Sequence, residues 1–211
     1  MIYRVMLIVA MVLTGFSNLA FAATDNDSAT AQLSQLLEHN RDIKGAFHQE
    51  TYDGSGKQVQ ESDGVFILAK PSRFLWNSVA PYPQRIISNG KTVMIWDVDL
   101  QQATKKPLSG EVGRSPAALL GMPAAKILPN YKVTKLDANR FRLEPKNQDD
   151  NMFKQLTLSF KDGKISDMSI LDGLGQTTII HFKDVEFHTG EPAKTFSLAV
   201  PDDVDVIQEG Q

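Results

Sequence analysis

Apolar and polar positions alternate with a period of two along most of this chain, and clusters of turn-forming residues interrupt the alternation at regular intervals. Near the start the period is different. Ala31, Leu33, Leu36 and Leu37 recur at helical spacing behind a capping Asp27 or Ser28, which predicts one amphipathic helix ending near Asn40. From Gly45 onward the pattern predicts strands. Asp53-Gly54-Ser55-Gly56 closes a hairpin between 46–52 and 59–69, and Asn89-Gly90, the strongest short hairpin signal, joins 84–88 to 92–97. Asp137-Ala138-Asn139 separates 131–136 from 141–144, and Asp162-Gly163 separates 153–160 from 164–171. A last pair, 177–187 and 195–199, is joined by a polar loop holding Gly190 and Pro192. About ten strands at this spacing point to one large antiparallel meander, open or closed into a barrel.

Two stretches depart from simple alternation. Residues 65–69 are unbroken apolar sequence between Gly64 and Pro71, so this strand is apolar on both faces. One face belongs to a core; the other needs a second cover, which can be a helix, another sheet or a greasy ligand. The second departure is Ser115-Pro116-Ala117-Ala118-Leu119-Leu120, with a helix-start serine, a proline at the first helical position and an apolar face. A further helical turn is expected around 124–128. Short apolar helices are natural covers for the concave side of a single sheet. A tight cover makes the interior a core, and a loose one makes it a pocket.

Composition narrows the class. Arg4, an apolar stretch over 5–15 and Ala20-Phe21-Ala22 form the three parts of a cleavable export signal, so 1–22 reads as a signal peptide and 23–211 as one domain starting at Ala23. The chain has no cysteine, which excludes disulfides, thiolate metal sites and an acylated N-terminal cysteine. A net charge of −3, one unit more negative once Arg4 is removed, argues against nucleic acid. His39, His48, His181 and His188 form no HExxH pair, and no metal site is expected. No GxSxG elbow, P-loop or GxGxxG occurs, and the acidic Asp202-Asp203-Val204-Asp205 reads as a solvated C-terminal face. Phe66, Phe74, Trp76 and Trp96 form an aromatic stripe on adjacent strands, either core or ligand wall.

Several short strings then occur in a telling order: Gly45-Ala46-Phe47-His48-Gln49-Glu50, the segment Lys70-Pro71-Ser72-Arg73-Phe74-Leu75-Trp76, Ser88-Asn89-Gly90-Lys91-Thr92, the run Asp97 to Thr104, Ser115-Pro116, and Thr195 to Pro201. Together they resemble the periplasmic outer-membrane lipoprotein carrier family, LolA, over essentially all of 23–211. The resemblance implies a mainly β fold with helices: an incomplete antiparallel β-barrel, a single curved sheet, covered by a helical lid that encloses an apolar cavity. It also implies a periplasmic, non-enzymatic, cofactor-free monomer. Such a protein takes triacylated lipoproteins from an inner-membrane ABC transporter to an outer-membrane receptor. Two alternatives remain open: a sensor of lipids or lipoproteins on the same fold, and a periplasmic esterase.

Under that resemblance, cavity and lid are expected from Leu33 and Leu37 of the first helix, Phe47, Phe66, Leu68, Phe74, Trp76, Met94 and Trp96 of the sheet, and Leu119 and Leu120 of the inserted helix. Within each strand these residues share one parity, so an error of face would displace a strand's whole set. Family members commonly carry arginine before the proline at 71, where it can bind lid carbonyls. Here the position is Lys70, expected as a lid latch with fewer donors, with Arg73 nearby as an alternative source of the contact.

Overall fold

A computed structural model describes residues 25–111, 116–147, 153–188 and 190–209 of the chain. The expected signal peptide 1–22 with its cleavage site, and Ser115, lie outside these residues. The elements run α1 (Asp25–His39), β1 (Ile43–Tyr52), β2 (Gln58–Ala69), β3 (Arg73–Ala80), β4 (Gln84–Asn89), β5 (Thr92–Asp97) and β6 (Gln102–Pro107). After them come α2 (Pro116–Gly121), α3 (Ala124–Ile127), β7 (Tyr131–Lys135), β8 (Arg140–Pro145), β9 (Phe153–Lys161), β10 (Lys164–Asp172), β11 (Thr177–Phe187) and β12 (Asp205–Gln208).

All twelve strands belong to one open sheet in the order β12-β6-β5-β4-β3-β2-β1-β11-β10-β9-β8-β7. The chain lays down β1, adds β2 to β6 outward on one side, passes through α2 and α3, and restarts at the far edge with β7. From there it meanders back until β11 pairs with β1 in antiparallel register, Phe47 opposite Phe182 and His48 opposite His181. The tight turns form where the sequence supplies residues that tolerate positive φ. Gly90 (φ 97°) and Gly163 (φ 76°) sit in the β4–β5 and β9–β10 turns.

Several expectations are corrected. The segment 195–199 is not a strand: Pro192 leads into a short 3-10 turn, Ala193–Phe196, that drives the Phe196 side chain into the protein. The closing strand is instead β12, which pairs with β6 in parallel, so the sheet is not wholly antiparallel. The acidic residues Asp202, Asp203 and Asp205 are exposed, as a solvated face requires, while Val204 among them is buried and Asp205 opens β12. β6 itself was not foreseen, since Gln-Ala-Thr-Lys-Lys-Pro offers only Ala103 as an apolar residue. The first helix begins at Asp25, which puts Asp27 and Ser28 in its first turn rather than before it; acidic charge is favoured there by the helix dipole.

The two-sided run in β2 finds two separate covers. Phe66 and Leu68 point into the larger core, shared with α1, α2 and α3. Ile67 and Ala69 point the other way, into a second cluster closed by Phe196, Leu198, Val200 and Val204. The second cover is therefore the strap 193–204, laid over the outer face of the sheet.

Candidate functional site

The inner face carries a contiguous set of large apolar side chains. Phe47 of β1 stacks on Trp76 of β3, with ring centroids 4.2 Å apart and planes inclined by 25°. Phe66 of β2 lies 5.9 Å from Trp76 and 5.1 Å, edge-on, from Phe182 of β11. Four strands thus contribute one aromatic group, an arrangement that the ring quadrupoles favour. Gly64 makes the stack possible. A Cβ at that position would overlap the Phe47 ring and the Asn77 carbonyl, so only glycine lets the ring settle onto β2. Gly121, at the end of α2, does the same for the Phe74 ring.

Leu33 and Leu37 of α1, and Leu119 and Leu120 of α2, meet Phe47, Phe66, Leu68, Phe74 and Trp76 in this one cluster, each at most 4% exposed. Met94 and Trp96 do not. They face outward against the strap, in the cluster with Phe196, and their expected place in the cavity is corrected. In β5 it is Val93 and Ile95 that point inward, so the error is one of parity and moves the pair together. Phe182 was missed, although it shares parity with Ile180, which also faces inward.

The polar contacts around the lid helices differ from expectation as well. Lys70 does not hold the lid: its Nζ pairs with Asp42 at 3.1 Å and its amide donates to the same carboxylate at 3.0 Å. Arg73 does not substitute for it. It donates to the Lys70 carbonyl (2.7 and 3.1 Å) and lies 5.0 Å over the Phe196 ring, serving the strap. The lid contact comes from α1. Glu38 Oε1 accepts the Ala124 amide of α3 at 2.9 Å, while Glu38 Oε2 accepts Arg41 Nη1 at 2.7 Å. α1 is itself fixed to the sheet by buried Asn40, which donates to the Leu36 and Gly163 carbonyls and accepts the Ile165 amide. Beside this contact a cleft of about 460 Å³ lies between α1 and α3, lined in part by Ala31, Ser34, Ala124, Ala125 and Leu128.

Burial pushes the Glu38 pKa up, but hydrogen bonds from Arg41 and Ala124 and the charges of Arg41 and Lys70 outweigh it, leaving Glu38 below the usual glutamate range. Burial likewise opposes, and the Lys70 amide, side chain and charge prevail, at Asp42. Both carboxylates therefore stabilise the folded state fully above an unfolded glutamate's pKa of 4.5, and the contribution is lost as pH falls through the depressed values. The urea midpoint should fall between about pH 6 and about pH 3. A double variant, Glu38→Gln with Asp42→Asn, should fall less over the same interval; an equal fall would show that other carboxylates carry the dependence.

Among the described residues no three His, Cys, Asp or Glu side chains converge to hold a metal ion. His48 is paired with Asp63 (3.0 Å) and His181 with Asp167 (2.7 Å) on neighbouring strands of the sheet.

Comparison with known proteins matches residues 38–199 to a family model described as "Outer membrane lipoprotein carrier protein LolA". A protein of Pseudomonas fluorescens (strain Pf0-1) named outer-membrane lipoprotein carrier protein is 38% identical over 207 residues, spanning 97% of this chain and 100% of the relative. One from Azotobacter vinelandii with the same name is 39% identical over 199 residues, 92% of this chain and 96% of the relative. Among solved structures, an uncharacterised conserved protein of Thermus thermophilus superposes with a TM-score of 0.52 at 13% identity, covering 85% of this chain and 99% of that one, which speaks to the fold alone.

Proposed function

The chain belongs to the outer membrane lipoprotein carrier family, LolA, and from that membership we propose how its residues perform the work of a periplasmic lipoprotein carrier. Residues 23–211 act as one domain after loss of 1–22. The domain receives triacylated lipoproteins from an inner-membrane ABC transporter, shields their acyl chains, and gives them up to an outer-membrane receptor, with no catalytic step. Each acyl CH₂ left in water costs about 0.8 kcal/mol, so several chains cost tens of kcal/mol to carry bare. The shield is the inner cluster: Phe47, Phe66, Leu68, Phe74 and Trp76 of the sheet under Leu33, Leu37, Leu119 and Leu120 of the helices. One observation carries this reading. The aromatic group of β1, β2, β3 and β11 lies beneath short helices, and α2 with α3 contains a Gly-Met-Pro link rather than a continuous rigid rod. In the empty protein the helices satisfy the same apolar surface that cargo would, so net affinity is the difference between the two and release stays within reach.

The chain's two tryptophans test this directly, because Trp76 faces inward and Trp96 outward. A synthetic triacylated lipopeptide with brominated acyl chains should quench the fluorescence of the Trp96→Phe variant, which keeps Trp76. It should leave the Trp76→Phe variant nearly unquenched. The reverse pattern would put the chains under the strap, and no quenching in either would remove the acyl-shield reading.

A further inference from the structure

The first amides of a helix have no partner within it, and in α3 that need is met from outside the segment. Ala124 donates to Glu38, whose second oxygen is already held by Arg41, a side chain that is only 10% exposed. When the Ala124 bond breaks, Glu38 keeps its ion pair and its position on α1, so the acceptor stands ready for reclosure. α3 is a short, separately bounded unit. It is bounded by Pro123 and Pro129, buries Ala124 and Ile127, exposes Ala125 and Lys126, and borders the cleft beside α1.

We propose that Glu38, positioned by Arg41, is the clasp that closes the lid over the inner apolar cluster and thereby sets how tightly acyl chains are held. The inference rests on the carrier reading but assigns the closing contact to a carboxylate on α1 and a backbone amide of the lid. A hydrogen bond to a charged acceptor shifts such a closing equilibrium by about ten- to a hundredfold. Lys70 reaches Glu38 only through its charge, since its ammonium and amide are both committed to Asp42.

Amide hydrogen exchange reads the clasp without any cargo. In Glu38→Ala the Ala124 amide should exchange about ten- to a hundredfold faster, while amides of β1 and β11 keep wild-type protection and report an intact fold. Glu38→Gln, which retains a carbonyl acceptor but loses the Arg41 ion pair, should fall between. Affinity for a triacylated lipopeptide, read from Trp76 fluorescence, should rise in the same order, and Lys70→Met, which removes only a through-space charge, should change both quantities far less than Glu38→Ala. Wild-type exchange at Ala124 in Glu38→Ala, or a Lys70→Met variant that reproduces the effect, would overturn the clasp. Faster exchange in a protein whose wild type binds no lipopeptide would instead overturn the carrier reading, and with it the role of the clasp in affinity.

Discussion

Replacing Phe47 by alanine should lower the unfolding free energy by about 3–5 kcal/mol, among the largest effects open to a single side chain here. The ring is 1% exposed, rests on Gly64 of the neighbouring strand and stacks on Trp76. β1 is paired on both sides, to β2 and to β11, so the backbone around the vacated space is held in two ladders and cannot close over it. Both the lost transfer energy and the cavity therefore count in full. For a chain of this size the thermal midpoint should drop by roughly 2–4 °C per kcal/mol. The same variant opens room beside Trp76, so lipopeptide quenching should persist with altered affinity. A loss under about 1 kcal/mol would mean that the interior is loosely packed at its aromatic centre.

Phe196→Ala should be comparably costly to the strap but different in kind. Phe196 is 2% exposed, closes the outer cluster over Met94, Ala103 and Ile87, and carries the Arg73 guanidinium on its ring. The strap has no strand pairing until β12, so its attachment depends on this side chain and its apolar neighbours. Truncation should release 193–204 before the sheet unfolds, with about 3–5 kcal/mol as the ceiling if the strap stays in place. In a Trp76→Phe background, Trp96 emission should shift to the red and proteases should cut within the strap. In a Trp96→Phe background, Trp76 should be unchanged. A cooperative loss with both tryptophans shifting together would show that the two cores are one unit.

These two residues also mark what could be read from the sequence and what could not. Local signals were sufficient for hairpins: Asn89-Gly90 and Asp162-Gly163 fall at the β4–β5 and β9–β10 turns because few residues accept those dihedrals. The two-sided apolar run in β2 correctly demanded a second cover, but nothing local said that the cover was a strap from more than a hundred residues later. Phe196 looked like a strand residue because an alternating segment and a turn with one inward knob share a short pattern. β6 and β12 were hidden for the opposite reason. Each holds its place through ladder hydrogen bonds; β6 has little apolar content to betray it, and β12 is only four residues long with none of them buried. Met94 and Trp96 went astray because β5 offers apolar residues on both faces, Val93 and Ile95 inward against Met94 and Trp96 outward, so parity alone could not choose. Glu38 was illegible in principle. A glutamate near a helix end is usually solvated, and only the approach of Ala124 and Arg41 gives it a task.

The same geometry explains why Lys70 need not imitate arginine. Asp42, three residues past α1, claims the lysine of the β2–β3 turn through both its ammonium and its amide. The closing function passes to Glu38 on the adjacent helix. Carriage then depends on a balance between helices that cover the aromatic group and acyl chains that displace them, with neither so strong that the other cannot win.

The most direct test of carriage is to co-express the full chain with a triacylated lipoprotein, isolate it from the periplasm and weigh the complex by native mass spectrometry. A one-to-one complex with the mature, acylated lipoprotein is the predicted result. Protein recovered empty, or loaded only with phospholipid, would contradict the account.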